Sequence, residues 1–167
     1  MATSLLTAPA AVAVKTALLA ECFVRQHAQA DAARRAMEDA QASANGHAGA
    51  MEDKFESFRE NCQIQRDLFA RQLAEALAGL ATLHRIGVDA PAPAVAGLGA
   101  LIETDRSARF FLAISAGPLT VPAAAPAADA PWMVVSTASP IGQALVGRRV
   151  GERFTFRGET HCVTAVW

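Results

Sequence analysis

The chain has 167 residues, which suffice for one ordinary domain or for a small domain with an extended element. Lys and Arg number 15 and Asp and Glu number 16, and this near-neutral balance excludes a protein that coats nucleic acid through bulk charge. The hydrophobic fraction of 52% excludes a chain that is disordered throughout. The three cysteines are far apart and no Cys-x-x-Cys pair occurs, so neither a disulfide framework nor a zinc site is expected. A reducing cytoplasm is the simplest location, and we expect no membrane contact because no apolar run is long enough to span a bilayer.

The first half of the chain has the composition of long helices. Between Pro9 and Arg85 there is no further proline, and Ala, Glu, Gln, Arg and Leu dominate. One turn-forming cluster, residues 45–49 (NGHAG), divides the stretch into two arms. The sequence therefore predicts an antiparallel coiled-coil helical hairpin over residues 1–85, with its tip near residues 45–53. An arm of about 30 residues would extend roughly 45 Å, so we expect the hairpin to reach into another molecule or to pack on a second copy.

The two arms differ in the side chains that are available to hold them together. The first arm is rich in large apolar residues near its start and retains mainly alanines farther along. We therefore expect strong packing at the base and slender packing toward the tip. The second arm has a predicted apolar seam at mostly three- and four-residue steps: Phe55, Phe58, Cys62, Phe69, Leu73, Leu77 and Leu80.

From residue 86 the composition changes to that of a small α+β domain. Residues 86–97 contain the glycines and prolines of a linker, and residues 98–167 form the predicted domain. The alanine- and proline-rich stretch from Pro118 to Pro131 is predicted to be a loop, because proline interrupts the pairing of a sheet. Four or five strands and one short helix, N-capped by Ser139, are expected. The strand-like runs lie at residues 100–104, 110–115, 132–136, 153–156 and 160–166.

Residues 139–152, with the sequence SPIGQALVGRRVGE, form the most distinctive motif of the chain. Ser139 and Pro140 suit the N-cap and the first position of a helix, and Gly147 suits its end. The segment closely resembles the signature SPxGxALxGxxxGD of the C-terminal domain of the GreA/GreB family of bacterial transcript-cleavage elongation factors. Glu152 stands in place of the usual aspartate. The motif match is confined to this part of the chain, whereas the order of hairpin and domain is similar over its whole length.

The resemblance implies a coiled-coil hairpin on an FKBP-like domain that binds RNA polymerase. The domain would sit on the rim of the secondary channel of the polymerase, with the hairpin inside the channel and in indirect contact with nascent RNA. No active site, cofactor or small-molecule substrate of the chain's own is implied, because the polymerase performs the chemistry. The surface around the motif would bind the polymerase, and its candidate residues are Ser139, Pro140, Gly142, Arg148 and Arg149.

The hairpin tip of the family carries two acidic residues, Asp-x-x-Glu, that help to hold a second catalytic Mg²⁺ in the polymerase. Asp53 and Glu56 have that spacing, just after the predicted turn. Positions i and i+3 of a helix lie on one face, so the two carboxylates can share a cation that prefers carboxylates, waters and phosphates. The alternative is that the pair only complements the helix dipole, as acidic residues in a first helical turn commonly do.

The sequence leaves three functions open. The first is an elongation factor that stimulates cleavage of backtracked RNA by the polymerase. The second is a secondary-channel regulator with the same body that inhibits the polymerase without stimulating cleavage. It is kept open because the Asn-Ala-Glu-Tyr that typically follows the acidic pair in the family is here SFRE, residues 57–60. The third is a stand-alone FKBP-like isomerase or chaperone, which would need a ring of aromatic side chains that the core also requires.

Overall fold

The computed structural model describes residues 6–45, 52–88, 93–121 and 130–167, and for residues 52–55 it describes the backbone alone. Two long helices, α1 (Ala8–Asn45) and α2 (Glu52–His84), precede a six-stranded sheet. The chain divides into two compact units, Phe23–Ala81 and the combination of Met1–Cys22 with Thr82–Trp167. No helix within the described ranges is both long and apolar enough to cross a membrane.

The unit Phe23–Ala81 is a pair of antiparallel helices. The side chain of Gln26 lies directly over Gly79, and Nη1 of Arg66 donates a hydrogen bond to Oε1 of Gln41 over 3.2 Å. Residue numbers therefore rise along α1 while those of the facing positions on α2 fall. Asn45, the first residue of the predicted turn cluster, is the last residue of α1. The rest of the cluster and most of the predicted tip fall in residues 46–51, which lie outside the described residues.

The inward face of α2 differs in part from the predicted seam. Phe58 and Leu77 were expected in the seam, and this was wrong because they are 39% and 48% exposed. Leu77 follows Ala76 by one residue, or about 100° of helix rotation, and Ala76 occupies the seam in its place. The side chain of Phe55 lies outside the described residues. Buried and half-buried positions recur at alternating steps of four and three residues: Cys62, Arg66, Phe69, Leu73, Ala76, Leu80 and Leu83.

The contrast between the two ends of α1 is confirmed. Its buried side chains are large near the start and small farther along: Leu18, Leu19 and Cys22, then Ala30, Ala33 and Ala40. A fully buried leucine contributes about 2 kcal/mol of hydrophobic free energy, and an alanine far less. Most of the hydrophobic stabilisation along α1 therefore comes from its first half.

The rest of the chain is α+β, with six strands where four or five were expected. The strands are β1 (Leu101–Thr104), β2 (Arg109–Ala113), β3 (Gly117–Leu119), β4 (Trp132–Ser136), β5 (Arg153–Phe156) and β6 (Glu159–Val166), and helix α3 (Pro140–Leu145) follows β4. Their spatial order is β3-β4-β2-β1-β6-β5. Strands β2 and β4 are parallel, and every other neighbouring pair is antiparallel.

Strand β3 corrects the prediction that Pro118 begins a loop. Pro118 faces Met133 of β4 and lies in the middle of β3, which is the outermost strand on its side of the sheet. A proline has no N–H to donate, so it is tolerated in an edge strand where its nitrogen points away from the neighbouring strand. The loop prediction failed because it excluded proline from every strand, whereas the exclusion holds only for central strands.

Both faces of the sheet are buried at its central strands β1 and β2. Ile102 and Leu112 pack with Leu145 of α3 in one core. Leu101 and Phe111 alternate with these residues along β1 and β2, so they point to the opposite face, and both are fully buried there. The buried parts of these two strands, LI in β1 and FFLA in β2, consequently appear in the sequence as continuous apolar runs.

Lys15 of α1 is buried, with 6% of its surface exposed, although it carries an ammonium group. Burial lowers the pKa of Lys15 from its ordinary 10.5, because desolvation disfavours the charged form. Between the lowered pKa and 10.5 the unfolded chain binds more protons than the folded chain, so stability rises with pH through that window. We expect Lys15→Met to raise the free energy of unfolding at neutral pH by about 1 kcal/mol and to remove this rise.

Urea denaturation at a series of pH values up to 10.5 measures both effects. Arg35→Met is the matched control, because Arg35 is an exposed cation on the same helix and its removal should change neither quantity. A loss of stability in Lys15→Met would show that the ammonium makes a net favourable interaction.

Candidate partner-binding surface and hairpin carboxylates

Helix α3 begins at a cap that uses the side chain and the backbone of Ser139. Its hydroxyl accepts a hydrogen bond from the Gly142 N–H over 3.1 Å and donates one to the Ser136 carbonyl over 2.7 Å. The Ser139 N–H donates to the same Ser136 carbonyl over 3.0 Å. Pro140 follows in the first helical turn, where its missing N–H has no helical partner to lose. The cap joins the end of β4 to the start of α3.

Gly142 is required because the Ser136 carbonyl occupies the space where a side chain would begin. A Cβ at position 142 would overlap the carbonyl oxygen of Ser136 and crowd the hydroxyl of Ser139. The absent side chain lets the first turn of α3 rest against the backbone at the end of β4. Ile141 and Leu145, one on each side of this contact, are buried in the core.

The end of α3 is fixed by two glycines in the left-handed region and by pairing with a distant segment. Gly147 has φ of 85° and donates its N–H to the Ala96 carbonyl over 2.8 Å, while the Ala96 N–H donates to the Arg148 carbonyl over 2.8 Å. Gly151 has φ of 88° and donates to the Val163 carbonyl of β6 over 2.8 Å. Each position needs a backbone conformation that glycine adopts without steric cost.

The two adjacent arginines occupy different environments. Nε of Arg148 donates to the Ala144 carbonyl over 3.1 Å, and Nη1 lies 4.0 Å from the Glu152 carboxylate. Arg149 is exposed, and its backbone N–H donates to the same carboxylate over 3.2 Å. The Arg148 side chain therefore closes the last turn of α3, whereas the Arg149 side chain extends from an exposed position. The carboxylate of Glu152, which replaces the aspartate of the resembled signature, therefore contacts both the Arg149 backbone and the Arg148 guanidinium.

The described contacts of the five predicted partner-binding residues are internal to the fold. Gly142 is buried, Ser139 and Arg148 are half-buried, and Pro140 and Arg149 are exposed. Most positions of the signature at residues 139–152 are therefore explained by contacts within the fold. Pro140 and Arg149 are the two of these residues that present most of their surface to solvent.

The two predicted metal-binding carboxylates lie in the first turns of α2. Asp53 is in the helix, with its side chain outside the described residues, and Glu56 is exposed. Their spacing of three residues places them on neighbouring positions of one helix face. In the described ranges, no group of three or more His, Cys, Asp and Glu side chains is placed to hold a metal ion.

The sequence analysis missed a polar groove between α1 and α2. It encloses about 180 Å³ and is lined by Ala40, Gln41, Ala44, Asn45, Arg59, Cys62, Gln63 and Arg66. Small alanines on α1 face long polar side chains on α2, which leaves the space between them. Two alanines four residues apart near the end of α1, Ala40 and Ala44, are a partial sequence signal, but the residues that face them on α2 follow only from the pairing of the two helices.

Comparisons with known proteins give a weak structural likeness. No known family profile matches the chain, and no curated protein matches its sequence. The chain is 21% identical to the GreA factor homolog 1 (Gfh1) of Thermus thermophilus over 87% of its own length and 94% of that chain, with a TM-score of 0.34. A second structure, of the transcription factor Gfh1, gives 22% identity over 86% and 92% of the two chains, with a TM-score of 0.32. TM-scores this low support no inference about fold or function.

The contact between Gly142 and Ser136 makes a stability prediction. We expect Gly142→Ala to lower the free energy of unfolding by about 3 kcal/mol or more, because the added methyl group displaces α3 from β4. Ser139→Ala should cost about 1 kcal/mol through loss of the cap. Chemical denaturation monitored by tryptophan fluorescence measures both changes. Gly87→Ala is the control, since no atom lies within 4 Å of its added Cβ, and an equal loss there would refute the steric explanation.

Proposed function

We propose that this chain is an RNA polymerase-binding elongation factor of the Gre type, which inserts its helical hairpin into the secondary channel and stimulates cleavage of backtracked RNA. The observation that carries the proposal is that the Gre-like signature occupies the backbone conformations that its residues require. The Ser139 cap, the close approach at Gly142 and the left-handed glycines at 147 and 151 each account for one signature position. In this proposal the globular part is FKBP-like and acts as the polymerase dock in the cytoplasm.

The length of the helices fits such a role. At about 1.5 Å per residue, the 38 residues of α1 span about 57 Å. Both helices carry charged side chains along their exposed faces, including Arg34, Asp31 and Arg71. Charged side chains of this kind suit a helix pair that enters a water-filled channel.

The chemistry would belong to the polymerase, with the hairpin supplying ligands to its Mg²⁺. Two carboxylates are too few to satisfy the six-coordinate shell of Mg²⁺, so Asp53 and Glu56 would complete a site whose other ligands come from the polymerase, water and RNA phosphate. The exposure of Glu56 leaves its carboxylate accessible for this purpose. The metal would supply charge stabilisation for phosphoryl transfer.

A channel inhibitor remains the second proposal, and an arginine shortly after the acidic pair favours it. Arg59 lies three residues beyond Glu56 on α2, and it lines the polar groove. A guanidinium at that spacing lies on the same helix face as the carboxylate and competes with a metal ion for it. A hairpin whose carboxylates are engaged in this way would enter the channel and block it without promoting cleavage.

A stand-alone prolyl isomerase is disfavoured by the placement of the aromatic side chains. Phe110, Phe111, Trp132 and Phe154 are all buried, with no more than 8% of their surfaces exposed. These residues form the core of the sheet, so they do not line an open pocket. These four aromatic side chains are consequently not available to line a substrate pocket.

The cleavage proposal predicts that the tip carboxylates matter for chemistry and not for folding. Asp53→Ala and Glu56→Ala should leave polymerase binding and the unfolding free energy nearly unchanged, because exposed dipole interactions contribute only about 0.5 kcal/mol. RNA cleavage in stalled elongation complexes should fall sharply, and added Mg²⁺ should partly restore it. Glu75→Ala is the control, since Glu75 is exposed on the same helix far from its start.

Two other results would redirect the proposal. If the parent chain blocks nucleotide addition and cleavage alike, and both alanine variants still do so, the hairpin is a plug and the pair only complements the helix dipole. If neither the parent chain nor its alanine variants bind polymerase in a pull-down, the proposal of a Gre-type factor fails.

The docking proposal predicts that Arg149 contributes to polymerase binding. Arg149→Glu should weaken binding by roughly threefold to tenfold at physiological salt, because reversed charge opposes association with an acidic surface. Arg148→Glu combined with Arg149→Glu should weaken it further, but this pair also removes the Arg148 contact with α3. Arg149→Gln, which removes the charge without reversing it, is the control and should weaken binding less than Arg149→Glu. Binding of Arg149→Glu equal to that of the parent would exclude this surface as the contact.

A further inference from the structure

One edge of the sheet has backbone groups available to a partner. Strand β5 is the outermost strand on its side and pairs only with β6. Arg157 and Gly158 connect the two strands with φ of 51° and 82°, which is a two-residue type I′ turn. The residues that close such a turn, Phe156 and Glu159, exchange both of their backbone hydrogen bonds. Because bonded and non-bonded positions alternate, the N–H and C=O of Thr155 point away from β6.

In the described part of the chain, no element other than β6 pairs with β5. No backbone hydrogen bond joins Thr155 or Arg153 to another element within the described residues. The side chains of both residues are exposed, whereas Phe154 between them is buried against the core. The strand is therefore anchored by one side of its pleat and open along its outer edge.

The open edge is positively charged. Arg153 and Arg157 are exposed, and in the residues described here neither forms an ion pair, although Arg157 lies over the Phe156 ring at 5.3 Å. The two carboxylates that lie closest to these arginines in the sequence, those of Glu152 and Glu159, have other partners. Glu159 accepts from Arg106 at 3.0 Å, and the Glu152 carboxylate accepts the N–H of Arg149 and lies near the Arg148 guanidinium. The edge thus carries two arginines that form no ion pair within the part of the chain that the structure describes.

The opposite edge of the sheet, strand β3, has fewer backbone N–H donors for an added strand. Pro118 occupies the centre of the three-residue strand β3, so that edge lacks an outward N–H donor where pairing would need one. The two ends of the sheet are therefore not equivalent, and β5 is the end at which a new strand can pair.

We propose that β5 binds an extended acidic peptide segment of a partner protein, which adds to the sheet as a further antiparallel or parallel strand. Backbone hydrogen bonds to Thr155 supply the pairing, and carboxylates at alternate positions of the peptide meet the guanidinium groups of Arg153 and Arg157. The proposal stands on the open edge and its charge, and it does not depend on polymerase binding.

The test uses the full chain and a fluorescein-labelled peptide of about ten residues that alternates glutamate and valine. Fluorescence anisotropy should show binding that weakens as salt is added. Arg153→Glu combined with Arg157→Glu should weaken binding by at least about tenfold. Thr155→Pro, which removes the outward N–H but no bond to β6, should weaken it roughly fivefold. The exchange of the Thr155 amide hydrogen should slow when the peptide is bound.

Three controls make each outcome decisive. Thr155→Val keeps the N–H and should bind as the parent does, and Arg35→Glu combined with Arg71→Glu changes net charge equally at exposed helical sites. A lysine–valine peptide should not bind. If Thr155→Pro binds as tightly as Thr155→Val, the contact is not strand addition and the proposal is overturned. If oligothymidylate binds more tightly than the acidic peptide, the edge is a nucleic-acid surface and the proposal is likewise overturned.

Discussion

The carbonyl oxygen of Ser136 organises the globular part of this protein. It accepts hydrogen bonds from both the N–H and the hydroxyl of Ser139, and it lies against the bare Cα of Gly142. A strand end and a helix start are thereby joined through one backbone atom. The burial of Ile141 and Leu145 depends on this contact, because both side chains enter the core only when α3 rests directly on the end of β4. A motif that resembles a family signature is, in physical terms, the set of residues that permits this approach.

Much of the architecture could be predicted from the sequence, because local signals were strong where the structure is regular. The absence of proline between Pro9 and Arg85 predicted two long helices, and the Ser139–Pro140 pair predicted the start of α3. The failures come from positions at which a local rule has an exception. Pro118 was excluded from strands although it suits an edge, and Leu77 was placed in a seam that Ala76 occupies. In both cases the deciding information is the position of a neighbouring element.

The candidate site was also predictable from the sequence only in part. The sequence identified Arg148 and Arg149 as a pair, but only the structure distinguishes the arginine that closes α3 from the one that extends from the surface. The groove between Ala40, Ala44 and the polar residues of α2 depends on which residues of the two arms face each other. That register is set by packing along the whole helix pair and is not encoded in any short segment. The parallel pairing of β2 with β4 was equally beyond a local reading.

The inequality of the two sheet edges has a consequence for self-association. A fibre grows only if each molecule offers two competent edges, one to receive a neighbour and one to be received. Pro118 makes β3 a poor acceptor, so a chain that pairs through β5 stops further addition. Two copies that met β5 to β5 about a twofold axis would place the exposed Arg153 and Arg157 of one copy against those of the other, so like charges oppose this pairing. The proline of β3 and the arginines of β5 therefore guard the two edges by different means, one through a missing hydrogen-bond donor and the other through charge repulsion between identical chains.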